Sequence, residues 1–383
     1  MKIAVTVRTA FTPLEVLKNA VVIVEDGRIV AVGTREELEI PAGAHFIELG
    51  ESLLAPGFID MHIHGGAGHD VMATNRDGLA RFERHLTHYG VTSYCPTTVT
   101  APLDATYQSL AFLAQAKSAS RDASRARALG VHLEGPFISH ARRGVHPPEN
   151  LLEPSPELFE KFWQAAEGQV DVMTIAPELS GAIETIKAAT AKEVCVSLGH
   201  SDAKLAEAQA GFAAGGRHAT HTFNAMRPLD HREPGILGEV LANDTVSAEI
   251  IVDGVHLHPE IVSLFVKAKG KDRAVLVTDA ISATGMGDGR FMLGKFEVEV
   301  KGDRCEHNGV LAGSVLTLDR AVRNVRKFAD TPLRQAVQMA TWNVARALGY
   351  SDIGILAPGA RADFVGLNAD GEVQRTIIGD FIA

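Results

Sequence analysis

The segment Pro-Gly-Phe-Ile-Asp-Met-His-Ile-His-Gly places two imidazoles, His62 and His64, at alternate positions of an apolar run. Side chains of a strand repeat every two residues, so both rings point to one side of the strand. Four further polar residues close later apolar runs: Glu134 after Gly-Val-His-Leu, His200 after Val-Ser-Leu-Gly, His221 after Ala-Thr and Asp279 after Val-Leu-Val-Thr. Imidazoles and carboxylates in such a set suit zinc and other borderline divalent ions, and hydrolysis further requires an open position for water. Four histidines and two carboxylates are enough for one ion or two.

The elements that must carry these groups alternate in type. Strand candidates fall at 58–64, 91–99, 128–134, 171–176, 194–200, 218–223, 246–253 and 274–279, with helical patterns between them at 77–89, 156–166, 181–190 and 202–213. Eight strand–helix units predict a (β/α)₈ TIM barrel, in which functional groups sit at the C-terminal strand ends. Residues 1–54 and 351–383 read instead as short strands separated by turn residues. Neither end is long enough to bury a sheet alone, so both are expected to form one small β-sandwich module around a barrel spanning residues 55–350. Residues 284–312, rich in glycine and alternating residues, are expected to form a hairpin after the eighth strand.

With 383 residues, the chain has room for a barrel plus a smaller module. Its net charge of −10 and scattered basic residues argue against nucleic acid or an anionic membrane as the main partner, and point to a small substrate. Cys95, Cys195 and Cys305 are widely spaced and fit buried free thiols in a reducing compartment. The N-terminus lacks a signal-peptide core and no apolar stretch approaches about 18 residues, so cytoplasmic residence is expected.

With these features in view, the chain resembles the amidohydrolase superfamily, and within it the branch that deacetylates amino sugar phosphates. The resemblance runs along essentially the whole chain. It is carried by His132-Leu133-Glu134-Gly135-Pro136-Phe137, Gly144-Val145-His146-Pro147, Leu198-Gly199-His200-Ser201, His221-Thr222-Phe223-Asn224-Ala225-Met226, Arg232-Glu233-Pro234-Gly235, Asp253-Gly254-Val255-His256 and Thr278-Asp279-Ala280. Many two-metal members bridge their ions with a lysine on the fourth strand. Residues 170–178 contain none, which leaves that role to Glu134 and disfavours dihydroorotase-like or hydantoinase-like readings.

The resemblance implies hydrolysis of the acetamide of N-acetyl-D-glucosamine 6-phosphate to acetate and the amino sugar phosphate. It makes Glu134, His200 and His221 the first metal ligands, His62 and His64 the ligands of a second ion, and Asp279 the general base and acid. His146 would stabilise the oxyanion. Substrate contacts would come from Val145, Asn224, Ala225, His256, Leu311, Ala312 and Gly313, and from Arg232 of a neighbouring subunit in a homodimer. Zinc is the first expectation for the metal, although Fe²⁺, Co²⁺ and Mn²⁺ accept the same ligands. The galactosamine epimer, a different amide or ring-deamination substrate, and a non-catalytic metal scaffold stay open as alternatives.

Other candidates carry blander readings. His258 repeats the spacing of the first pair but precedes Pro259 and is expected in solvent. His218 has strand parity opposite to His221 and is expected to face the helices. His69, His85, His88, His140 and His231 read as surface or packing residues, with His69 close enough to the metal loop to stay open, Arg142 and Arg143 as a solvated loop, and Gly285, Gly287 and Gly289 as a turn without a phosphate-binding strand and helix.

Overall fold

The computed structural model describes residues 2–118, 122, 124–379 and 381–382. Met1, residues 119–121 and 123, Asp380 and Ala383 lie outside the described residues. Eight parallel strands follow one another round the barrel: β1 (Phe58–Ile63), β2 (Val91–Thr98), β3 (Val131–Glu134), β4 (Val170–Ile175), β5 (Cys195–Leu198), β6 (His218–Ala219), β7 (Ser247–Ile251) and β8 (Ala274–Val277). Beyond β8 the chain returns to the first strand. Ile63 bridges Ala280 in parallel, Asp279 N–H donates to the His62 carbonyl and His64 N–H to that of Ala280, closing the ring at the level of the candidate ligands.

The strands are buried along nearly their whole length, as expected when helices cover the outside and side chains fill the inside. The filling beneath the mouth is polar. His132 Nε2, Thr174 Oγ1, Thr220 Oγ1 and Ser197 Oγ form a chain of contacts of 2.8, 2.8 and 2.6 Å, so buried hydroxyls satisfy one another across four strands.

Helices follow each strand and are capped where the sequence supplies caps. Asn75 accepts Gly78 N–H at the start of Arg76–Thr87, and Ser155 accepts Leu158 N–H before Pro156–Ala165. The helix expected from Asp202 begins later, at Leu205, because Lys204 N–H is taken by Glu207 and Asp202 instead pairs with Arg142.

Both chain ends enter one eight-stranded sheet. Leu53–Pro56 lies parallel to Lys2–Phe11 and antiparallel to Asp363–Leu367, and then runs straight into β1. The Asp26-Gly27 turn between Val16–Glu25 and Arg28–Thr34 has positive φ at both residues (49° and 74°), as a tight two-residue hairpin requires. Val5, Val22, Leu54, Phe364 and Ile377 belong to an apolar core separate from that of the barrel.

The segment read as a hairpin is larger than expected. Gly289–Leu293, Phe296–Lys301, Arg304–His307 and Val310–Leu311 form a four-stranded antiparallel sheet, whose buried Leu293, Val298 and Cys305 pack with Val99 and Ile281 beside the barrel mouth. Two of its strands are only two and four residues long, too short for alternation to reveal them. Cys95, Cys195 and Cys305 are all buried and unpaired. No helix among the described residues is long and apolar enough to cross a membrane.

Candidate active site

Six ligand-type side chains from β1, β3, β5, β6 and β8 or the turns directly after them converge at the mouth. Glu134 lies at their centre. Its Oε1 is 3.3 Å from His62 Nε2 and 3.2 Å from both His200 Nε2 and His221 Nε2, while its Oε2 is 3.4 Å from His64 Nε2. Asp279 Oδ1 lies 3.0 Å from His64 Nε2 and 3.5 Å from His62 Nε2. Two groups at the mouth could hold an ion, Glu134 with His200 and His221, and His62 and His64 with Asp279; a third, His62 with His132 and Glu249, lies fully buried behind them, with both His132 nitrogens already facing the Met61 carbonyl and the Thr174 hydroxyl.

The hydrogen bonds at the back of each ring determine what its front presents. His200 Nδ1 lies 2.9 Å from the Arg142 carbonyl and His64 Nδ1 lies 3.1 Å from that of Thr97. A carbonyl only accepts, so both Nδ1 atoms carry the proton and both Nε2 atoms turn a lone pair to the centre. His62 Nδ1 is 2.9 Å from Glu249 Oε2, and its Nε2 is buried without a hydrogen-bond partner. Lone pairs and carboxylate oxygens thus face one another, an arrangement that a divalent cation satisfies. Among the described residues the ion-pair partners of Glu134, Asp279 and Glu249 are all histidines, with no lysine or arginine to balance three buried carboxylates. Donor set and charge both fit a divalent metal.

Titration reflects the same crowding. Burial would lift the Glu134 carboxyl, but the His62 charge and the nitrogens of His146, His200 and His221 hold it well below its usual range. Burial also opposes charge on His64, yet in the absence of a cation Asp279 and Glu134 draw a proton to it and raise it to about 9, so an ion bound there takes the place of the proton on Nε2.

The groups open into a cavity of about 290 Å³ lined by His64, Glu134, His146, His200, His221 and Asp279, and also by Val145, Asn224, Ala225, His256, Leu311 and Gly313. Most of the residues read from the sequence therefore meet in one place. His62 lies behind this surface, fully buried, and Ala312 is buried between its two lining neighbours. Arg232 does not line its own chain's cavity; it stands on an exposed loop, its N–H bonded to Asp230. His258 is exposed and pairs with Glu260.

One position corrects the strand-parity reading. His218 does not face the helices: it is buried and lies 3.3 Å from Glu249 Oε1. Parity fails because β6 ends at Ala219 and the chain turns at His221 with φ 26°, so alternation cannot be counted from one histidine to the other.

His146 has an assigned tautomer. The Thr100 backbone N–H points to its Nδ1 at 3.3 Å and the Thr100 hydroxyl lies 2.8 Å from the same atom. An amide N–H donates only to an unprotonated nitrogen, so Nε2 carries the proton, and burial lowers the imidazole to about 4, keeping it neutral. Gly135 makes room for this contact, since a Cβ there would lie 2.2 Å from Thr100 Oγ1. His256 Nδ1 is 2.7 Å from Asp253 Oδ2; burial opposes its charge, but Asp253 raises it above the usual value.

The sequence profile of the amidohydrolase family matches residues 53–381. The chain belongs to the amidohydrolase family. Among curated relatives of this amidohydrolase, an N-acetylglucosamine-6-phosphate deacetylase of Bacillus subtilis is 37% identical over 369 residues, 96% of this chain and 93% of its own length. An N-acetylgalactosamine-6-phosphate deacetylase of Escherichia coli O157:H7 is 38% identical over 354 residues, covering 92% and 91%. A solved structure from Mycobacterium smegmatis, a mutant N-acetyl-D-glucosamine-6-phosphate deacetylase in complex with N-acetyl-D-glucosamine-6-phosphate, is similar with TM-score 0.91 and 35% identity, covering 99% of this chain and 98% of that one.

Sequence reasoning passed over Glu249 and Thr100. Glu249 ends no apolar run; it sits inside Val-Ser-Ala-Glu-Ile-Ile-Val, and the sequence signal available was the oddity of a lone carboxylate within a buried strand. Thr100 follows a run of threonines and valines and has no signal of its own.

Proposed function

We propose that this amidohydrolase is a metal-dependent, cytoplasmic deacetylase that hydrolyses the acetamide of N-acetyl-D-glucosamine 6-phosphate to D-glucosamine 6-phosphate and acetate. The observation that carries the reading is the convergence of both ligand groups, Asp279, His146 and His256 on one cavity. Glu134, His200 and His221 would hold the first ion, and His62 and His64 together with Glu134 would hold a second, with zinc the preferred metal. A divalent ion bound there supplies Lewis acidity, polarising the acetamide carbonyl and lowering the pKa of water toward neutrality.

Asp279 accepts the proton of the attacking water as general base and returns it to the leaving nitrogen as the C–N bond breaks. His146 presents Nε2–H to the carbonyl oxygen as it gathers negative charge. His256, made cationic by Asp253, receives the phosphate together with the main-chain amides of Asn224 and Ala225, and Val145 and the Leu311–Gly313 segment shape the sugar site. Among the described residues lining the cavity, His256 is the cation this reading gives to the phosphate. Arg232 brings another from a second copy in a homodimer, which accounts for an arginine on an exposed loop beside the exposed Leu229.

The galactosamine epimer is the second reading, favoured by the Escherichia coli relative. Acetate release from both phosphorylated sugars and from unphosphorylated N-acetylglucosamine, on enzyme of known metal content, tests both. Turnover of the glucosamine substrate with a large loss without phosphate is expected. Preference for the epimer would reverse the order of the readings, and no release from any of the three by metal-loaded enzyme would overturn both.

A further inference from the structure

Glu249 is the one member of the buried carboxylate set that no step of the reaction uses. It lies on β7, a strand that contributes none of the ligand-type residues at the mouth, and is fully buried. Its Oε2 accepts two hydrogen bonds that converge from opposite sides of the centre, from His62 Nδ1 at 2.9 Å and from the backbone N–H of His221 at 3.0 Å. Its Oε1 is 3.3 Å from His218 Nε2. An ionised carboxylate held in the barrel interior without such partners would cost several kcal/mol, and among the described residues its carboxylate partners are ligand histidines and His218.

We infer that Glu249 is a positioning residue of the metal centre: it holds His62 in the tautomer whose Nε2 faces Glu134 and Asp279, and thereby builds the ion site of the His62–His64–Asp279 group. The ligand rings differ in this respect. His64 and His200 are oriented by neutral carbonyls, those of Thr97 and Arg142, whereas His62 is oriented by a full negative charge. A charge at Nδ1–H makes Nε2 a stronger donor to a cation, and the bond fixes the ring plane. The His221 contact adds a second task, because it ties down a backbone amide at an unusual positive φ of 26°.

The inference rests on the reading of both groups as ion sites, but its test needs no substrate. Metal-free enzyme is titrated with Co²⁺, followed by visible absorption and by elemental analysis of ions per chain. Glu249→Gln keeps the volume, and its one oxygen still accepts both N–H groups; the charge is removed and the amide NH₂ replaces Oε1 opposite His218 Nε2, which must then carry the lone pair. Wild type is expected to take two ions. The variant should retain the ion of Glu134, His200 and His221 and bind the other roughly 10–100-fold more weakly. Glu249→Asp, which keeps the charge but draws it back by one methylene, should fall between them and decides the matter if the glutamine variant fails to fold by circular dichroism. A folded Glu249→Gln with unchanged affinity for both ions overturns the inference, as does equal weakening at both sites or a wild type that binds one ion. Failure of the deacetylase reading would show only in acetate release and would leave the cobalt titration unaffected.

Discussion

The two ligand groups share a mouth but are built differently. His62 lies near the end of β1 and His64 directly after it, two residues apart, and the strand's pleat is enough to face both the same way. Glu134, His200 and His221 come from three different strands, and both histidines stand where the chain leaves its strand with positive φ, 47° and 26°. Such backbone is costly for a residue with a Cβ, about 1–3 kcal/mol each, and is kept by surrounding bonds: Ser139 N–H to the His200 carbonyl, and His221 N–H to Glu249. Asp279 uses the same device at φ 51° to turn its carboxylate toward the β1 pair. A strand points side chains along two fixed directions, whereas a left-handed residue at its end aims one across the mouth.

If the groups divide the chemistry as proposed, Asp279→Asn has the largest effect on rate that leaves the first ion in place. Acetate release should fall about 10²–10⁴-fold while elemental analysis still finds the ion of Glu134, His200 and His221. Loss of that ion together with activity would make Asp279 a ligand before a base. Next is the contrast between His200→Ala and His62→Ala. Removing His200 should weaken the first ion and lower turnover in proportion to the ion lost, while removing His62 should lower the count by one ion and leave measurable activity. Equal ion loss in both variants would show one cooperative site rather than two.

This difference in construction governs what could be read from the sequence. The period-two pair was legible because pattern and geometry coincide, and so were the barrel strands that end in isolated polar residues. The orientation of His200 and His221 was not, because it depends on single left-handed residues, and the parity argument failed at His218 for that reason. Glu249 was hidden differently: its partners come from β1 and β6, and such a network exists only once the barrel closes. The four-stranded sheet beside the mouth was partly legible, its two longer strands showing as a hairpin and its shorter ones leaving too few residues to count.

A carboxylate elsewhere sharpens the comparison from outside the centre. Glu83, on the buried face of the helix Arg76–Thr87, accepts the Tyr94 hydroxyl at 2.9 Å and lies 3.5 Å from Arg125. Burial nevertheless raises it to about 7, whereas Glu134, ringed by histidines, is held low. A folded-state value above the unfolded one means that the native state binds the proton more tightly, so stability declines as pH rises from about 4.5 through about 7 and then levels off. Glu83→Gln keeps the Tyr94 bond and should flatten this decline, gaining up to about 3 kcal/mol over wild type by pH 8 and little at pH 4. Chemical denaturation at the two pH values checks this, and a gain independent of pH would mean that the carboxylate is not the cause.

The smallest expected effect concerns His146, which belongs to neither group but faces Glu134 Oε2 at 3.7 Å, the oxygen on the His64 side. Were its proton on Nδ1, a lone pair at Nε2 would oppose both that carboxylate and the oxyanion. Thr100 prevents this with a backbone N–H that no substitution removes and a hydroxyl that one can. Thr100→Val keeps the β-branch and deletes only the hydroxyl, so the tautomer survives on the longer 3.3 Å bond with looser orientation. The loss should match one hydrogen bond, about 0.5–1.5 kcal/mol or up to roughly tenfold in kcat, with KM and ion content unchanged and Thr100→Ser restoring the rate. A rise in KM instead would move His146 from the reacting carbonyl to substrate binding, and a lost ion would make it an unrecognised part of the metal centre.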